Sequence, residues 1–328
     1  MSRRLILLLT LLLGVGGFAL WQGKSPASPQ SLRDQWPQKD FSKKSVPLSQ
    51  FRSGGPGKDG IPSIDEPQFT PAHQADVEAR SPVLSLTVNG DSRAYPLAVM
   101  MFHEIVNDRV GGVPVAVTFC PLCNSGIAFR RRLGDRVLEF GTTGLLRNSD
   151  LVMYDRQTES WWQQYTGKAV VGELTGSELA SIPVRMEAFQ RFRERQPGAK
   201  VLVPTRTWGR RYGQTPYTGY DRRERPMLYS GPLPENVHPM ARVVVVDDQA
   251  WTLALLRERR EIQHRDLVIR WSPGQASALD SAEIAEGRDV GNVTVRRRTS
   301  EGMANAAHKI VFAFAFRAFQ PDATLHTR

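Results

Sequence analysis

After about residue 60 the chain runs in short apolar stretches. Most of them alternate at the two-residue period of strands rather than the 3.6-residue period of helices. Val83-Leu84-Ser85-Leu86-Thr87-Val88 predicts a strand. Asn89-Gly90 is a strong two-residue hairpin signal, and Ser92 to Tyr95 returns as its partner. Pro96 suits the first turn of a short helix carrying Leu97, Met100, Met101 and His103. Val113 to Phe119 reads as a buried strand that runs straight into Cys120. Residues 127–132 and 136–140 are expected to pair across Leu133-Gly134-Asp135, and 151–154 with 160–164. A strand is expected over 169–174 and a helix over 186–196, with Phe189 and Phe192 on one face. The fold class that follows is mainly β (α+β): antiparallel strands and hairpins with a few short helices.

A weak internal repeat adds a further expectation. Val88-Asn89-Gly90-Asp91-Ser92-Arg93-Ala94-Tyr95-Pro96-Leu97 matches Val246-Asp247-Asp248-Gln249-Ala250-Trp251-Thr252-Leu253 in pattern. Leu267 to Ser272, followed by Pro273-Gly274, then falls where Val117-Thr118-Phe119-Cys120-Pro121 stands. The chain is read as two related halves, 59–205 and 206–328, the second a degenerate copy that lacks the cysteines and the histidine.

The N-terminus changes the compartment. Arg3-Arg4 precedes an unbroken apolar run from Leu5 to Trp21, the charge and hydropathy order of an export signal. As a helix the run would be about 26 Å long, slightly short of the roughly 30 Å hydrocarbon core. Residues 1–23 are therefore expected to be a signal peptide or membrane anchor that places the rest in the periplasm, on the outer side of the bacterial inner membrane. Residues 24–58, rich in Pro, Ser, Lys and Gln, read as a flexible tether. The net charge of +10 in an exported chain points to an anionic lipid surface or an envelope partner rather than to nucleic acid.

The candidate chemistry is one motif. The two cysteines of the chain stand three apart in Cys120-Pro121-Leu122-Cys123. As a staple they would contribute only about 2 kcal/mol, against about 3 for a fifteen-residue loop. Two active readings remain open beside that scaffold role. The pair can hold a soft metal, copper in the first instance, with His103 or Met153 as further ligand and an envelope protein or metal donor as partner. It can also act as the attacking and resolving thiols of a thiol–disulfide oxidoreductase. A zinc ribbon is excluded for want of a second cysteine pair. Covalent c-type haem is excluded because Asn124, not histidine, follows Cys123. Gly141-Thr142-Thr143-Gly144 lacks the ending of a phosphate-binding loop, and no Gly-x-Ser-x-Gly elbow surrounds Ser125. Asn148-Ser149-Asp150 gathers polar side chains near the same sheet.

The string His103-Glu104-Ile105-Val106-Asn107-Asp108, then Gly111-Gly112 and Val117-Thr118-Phe119-Cys120-Pro121-Leu122-Cys123-Asn124-Ser125, resembles a bacterial family known as domain of unknown function 3179. Leu151-Val152-Met153-Tyr154-Asp155-Arg156 and Ser160-Trp161-Trp162-Gln163-Gln164 fit it too. The likeness is close over 59–203 and loose beyond. It implies an exported or anchored protein with paired cysteines as its hallmark, and no established reaction.

Overall fold

The computed structural model describes residues 29–204 and 211–328. The expected export segment, residues 1–23, lies outside them. Among the described residues no helix is long and apolar enough to cross a membrane. Among the described residues the strands form five sheets of four or five strands each and one two-stranded ribbon, and the five sheets stand as the blades of a propeller-like body.

The local rules account for most of the elements. Pro82–Val88 pairs with Asp91–Pro96 across a turn in which Asn89 (φ 48°) and Gly90 (φ 82°) take the left-handed backbone that such hairpins need. Leu97–His103 is helical. Ile105–Val110, Val113–Cys120 and Ser125–Arg130 then run as consecutive antiparallel neighbours. The hairpin expected after residue 127 is redistributed. Ser125–Arg130 belongs to the cysteine sheet, and only Arg132–Leu133 pairs with Arg136–Val137. The helix expected over 186–196 is likewise shorter. Arg185–Ala188 is drawn into a sheet beside Pro82–Val88, leaving Phe189–Arg195 helical with Phe189 and Phe192 buried.

The two halves share part of their topology, the five-stranded sheet that holds Phe140–Arg147 having no counterpart among the described residues of the second. In one sheet the order is Arg185–Ala188, Pro82–Val88, Asp91–Pro96, Lys200–Val203, with Gln68–Pro71 as a fifth strand; in its counterpart it is Lys309–Phe312, Arg242–Val246, Gln249–Thr252, Thr324–His326. In each, the fourth strand lies parallel to the third and is reached through a seven-residue helix, Phe189–Arg195 or Ala313–Phe319. Leu97–His103 corresponds to Leu253–Arg259, and each of these helices ends on a non-glycine residue at positive φ, Glu104 (58°) or Arg260 (65°). The halves are not separate bodies: Leu84, Phe119 and Cys120 share one apolar core with Val244, Trp251 and Phe312.

Residues 29–53 depart from the tether expected over 24–58. Leu32, Trp36, Phe41 and Phe51 are buried against Tyr154 and Trp161. The Trp36 ring meets Tyr154 at 5.0 Å and Trp161 at 5.5 Å, both edge-on. Phe51–Ser53 adds an edge strand to Phe140–Arg147. The polar composition concealed four large apolar side chains, wide apart in sequence, that together cover the outer face of that sheet.

Candidate functional site

Val113–Cys120 is buried along nearly its whole length, and its pairing with Ser125–Arg130 ends at Cys120 opposite Ser125. Pro121-Leu122-Cys123-Asn124 is therefore the loop of a β-hairpin, not the start of a helix. Asn124 closes it in the left-handed region (φ 55°), its N–H donating to the Pro121 carbonyl at 3.1 Å. The loop is tied to the second half. The Phe312 N–H donates to the Cys123 carbonyl at 2.9 Å, and Asn124 Nδ2 donates to the Ile310 carbonyl at 3.1 Å.

Both thiols are free and buried. Facing them is the turn between Phe140–Arg147 and Asp150–Asp155, where Asn148 (φ 53°) and Ser149 (φ 62°) are both left-handed. Asparagine takes that region readily, whereas serine does so uncommonly. Here the consequence is visible, because the turn carries the Ser149 carbonyl to 3.3 Å from Cys123 Sγ and 3.7 Å from Cys120 Sγ, as an acceptor for their S–H groups. Ser149 Oγ anchors the turn by donating to the Met227 carbonyl at 2.6 Å. Asp150 follows at once. Its carboxylate accepts from Gln163 Nε2 at 2.6 Å and from the Tyr165 N–H at 2.9 Å. Cys120 Sγ, Cys123 Sγ and a carboxylate oxygen of Asp150 all lie within 4.8 Å of one another.

Burial governs the titration of this cluster. It raises the Cys120 thiol above its ordinary value and the Cys123 thiol well above it. It raises Asp150 to about 6 against the pull of its hydrogen bonds. Lys309, whose ammonium lies 4.3 Å from the centre of the Tyr165 ring, is lowered to about 8 by the same desolvation. Without a bound cation the site holds its sulfurs as thiols.

The other expected ligands lie elsewhere. Both ring nitrogens of His103 are engaged at 2.8 Å, Nδ1 with the Pro62 carbonyl and Nε2 with the Tyr212 hydroxyl, and His103 is not part of the three-residue cluster. Met153 is fully buried opposite Thr142 and Trp162. It stands three residues, about 10 Å of extended chain, beyond the position that reaches the sulfurs. The residue that does reach them, Asp150, was visible in sequence only as one of several polar side chains. The turn that aims it uses Asn148 and Ser149 where glycine would have announced the geometry.

Cys120 also opens on a cleft of about 870 Å³. Its floor includes Glu104, Leu122 and Leu151, all buried, while Pro56, Pro216, Arg223 and Ser230 at its edge are exposed. Glu104 is pushed up to about 8, first by burial and then by the charge of Asp150. Sequence reading passed over Glu104 in favour of its neighbour His103.

A family model described as "Protein of unknown function (DUF3179)" matches residues 58–323, so the likeness extends through both halves. No curated protein and no solved structure matches the chain.

Proposed function

The chain belongs to the DUF3179 family, and from that premise we propose that it binds a thiophilic metal ion through Cys120 and Cys123, with Asp150 as third donor. The observation that carries this reading is the convergence of two free thiols and one carboxylate, all buried, within 4.8 Å. Two thiolates are soft ligands suited to Cu(I) and Zn(II) alike. A carboxylate as third donor, in place of a histidine or methionine, shifts the balance from the copper expected from sequence toward Zn(II). Three protein donors beside a cleft leave a coordination position for a small ligand, as in metal sites that exchange or react rather than brace a fold. The raised thiols do not oppose the reading, because a metal displaces their protons on binding. We place this activity in the bacterial envelope, at the outer side of the inner membrane, on the charge and hydropathy order of residues 3–21.

The test is elemental analysis of the full chain purified from the envelope fraction in reductant, beside Cys120→Ser/Cys123→Ser and Asp150→Asn. Near-stoichiometric zinc or copper that disappears in the double variant and weakens in Asp150→Asn is expected. A wild-type chain that takes up neither metal when titrated with the thiols reduced ends the proposal.

One observation favours a second reading. Of the two cysteines only Cys120 lines the cleft, with Cys123 behind it, the arrangement of an attacking and a resolving thiol. In that reading the dithiol passes two electrons and two protons to a substrate disulfide and becomes a disulfide itself. Its weakness is the burial that raises both thiols, since the thiolate is the nucleophile. Turnover of a dithiol–disulfide substrate by the metal-free chain would support it.

A further inference from the structure

Glu104 has a backbone role that any residue could fill. Its N–H donates to the Met100 carbonyl and its carbonyl accepts from the Phe119 N–H, both at 2.8 Å. The equivalent corner of the second half is turned by Arg260, whose carbonyl accepts from the Trp271 N–H at 2.9 Å and whose exposed guanidinium lies over the Trp271 ring at 4.7 Å. The corner itself does not ask for a buried acid. Yet the Glu104 side chain is 93% buried by residue exposure (7% exposed), lines the floor of the cleft, and makes no hydrogen bond with any described residue. Its oxygens are not among the fully buried unpartnered polar atoms of the described residues, so the carboxyl faces the cleft, where water or a ligand meets it. The Tyr217 hydroxyl is a second polar group of the same wall without a hydrogen-bond partner among the described residues.

The more exposed lining of the cleft has the opposite charge. Arg52 and Arg223 both line it. Arg52 donates to the neutral Ser230 hydroxyl at 2.9 Å, and neither guanidinium has a carboxylate partner among the described residues. The lining also includes the apolar side chains of Leu146, Met227 and Tyr229. The volume, about 870 Å³, is in the range of small-molecule sites.

We infer that the cleft binds a small zwitterionic molecule: a cationic nitrogen at Glu104 and Tyr217, a short apolar body along the leucines, and an acidic group between Arg52 and Arg223. The carboxyl at the floor gains the donor it lacks, and the arginines gain the anion they lack. The ligand class is that of an amino acid with separated amino and carboxyl ends. The inference stands on the cleft and its unpartnered groups, and Glu104 is not one of the three metal donors, so it can fail or hold apart from the metal reading.

The experiment is calorimetric titration of the full chain in nanodiscs with ω-amino acids from 4-aminobutanoate to 8-aminooctanoate, each beside the amine and the carboxylate of the same chain length. At least one ω-amino acid is expected to bind tenfold or more tighter than both single-ended relatives. Glu104→Gln should erase its advantage over the carboxylate, and Arg52→Gln/Arg223→Gln its advantage over the amine. Thermal unfolding checks that each variant is folded. Cys123→Ser, which removes a metal donor that does not line the cleft, should retain the preference and so separates this inference from the metal proposal. Absence of binding across the series, equal binding of single- and double-ended compounds, or undiminished affinity in folded Glu104→Gln overturns it.

Discussion

Cys120 and Ser272 hold equivalent positions in the two halves of the molecule. The residue before each, Phe119 or Trp271, donates its N–H to the carbonyl of a left-handed residue, Glu104 or Arg260. A proline follows each, Pro121 or Pro273. The strand opposite begins at Ser125 in one half and at Asn292 in the other. In the second half the corner is held by an amide, Asn292 Nδ2 donating to the Pro273 carbonyl at 2.9 Å. In the first it carries two sulfurs facing a carboxylate. The strand end and the bond before it thus stand with and without the cysteines, although the connection that follows is residues 121–124 in one half and 273–291 in the other.

That comparison predicts the cost of removing them. A serine hydroxyl at 120 or 123 can donate to the Ser149 carbonyl that now faces the thiols, so Cys120→Ser/Cys123→Ser should remain folded. In the absence of metal it should lose about 1–2 kcal/mol, the order expected for a buried polar group that keeps one hydrogen bond. Urea unfolding of both proteins in chelator measures this. Loss of folding in the double variant would make the pair a structural staple after all.

Metal binding should weaken steeply with acid. Each metal ion displaces a proton from both thiols, which burial keeps protonated at neutral pH. Apparent affinity should therefore fall about 100-fold for each unit of pH lowered. Below about 6, where Asp150 takes up its own proton, the slope should steepen further, and Asp150→Asn should remove only that last component. Competition against a chelator of known proton dependence between pH 5 and 8 gives the slope. A pH-independent affinity would show that the sulfurs are not the donors.

Trp36 should matter to the folded body and not only to the reach of a tether. It is 1% exposed, ringed by Tyr154 and Trp161, and Trp36→Ala should cost about 3–5 kcal/mol, the range for truncating a buried aromatic. Because the segment also leads to Arg52, Gly54 and Pro56 on the cleft, the variant should expose residues 29–53 to limited proteolysis at protease levels the wild type withstands. Identical cleavage patterns would return the segment to the status of a linker.

What was legible in the sequence was legible for local reasons. Asn89-Gly90 fixed a hairpin because few other pairs take its φ angles, and the two-residue period of Val113 to Phe119 led to Cys120 because a buried strand has few alternatives. The repeat was readable where turn and helix start recur, at Val88 and Val246. The third donor was not, because Asp150 reaches the sulfurs across a turn that holds Ser149 at positive φ where glycine is usual. His103 looked like a ligand by proximity in sequence. Its ring instead bridges Pro62 and Tyr212, partners 41 and 109 residues away, which no local pattern announces. The aromatic residues of 29–53 were hidden by the polar residues between them, since burial of a few large rings outweighs average composition.

Glu104 ties stability to pH in a direction opposite to that of a salt-bridged acid. Its folded value near 8 lies above its ordinary 4.5, so between those two values the folded chain holds a proton that the unfolded chain has released. The stabilisation from this group is complete below 4.5 and is lost as pH rises through 8, at up to about 1.4 kcal/mol per pH unit. Glu104→Gln places a neutral amide in the same space and has no such dependence. Wild type and variant should therefore be closest in stability, or the wild type the more stable, near pH 5. By pH 8 the wild type should have fallen behind by an amount on the order of a few kcal/mol. Urea midpoints taken at half-unit intervals give the difference directly, and titrations of groups that do not interact with Glu104 cancel in it; that of Asp150, whose charge acts on Glu104, does not. Two parallel curves would mean that Glu104 titrates as it does in water. The cleft floor would then be wet and its carboxyl solvated, and the zwitterion site would lose the uncompensated acid on which it is built.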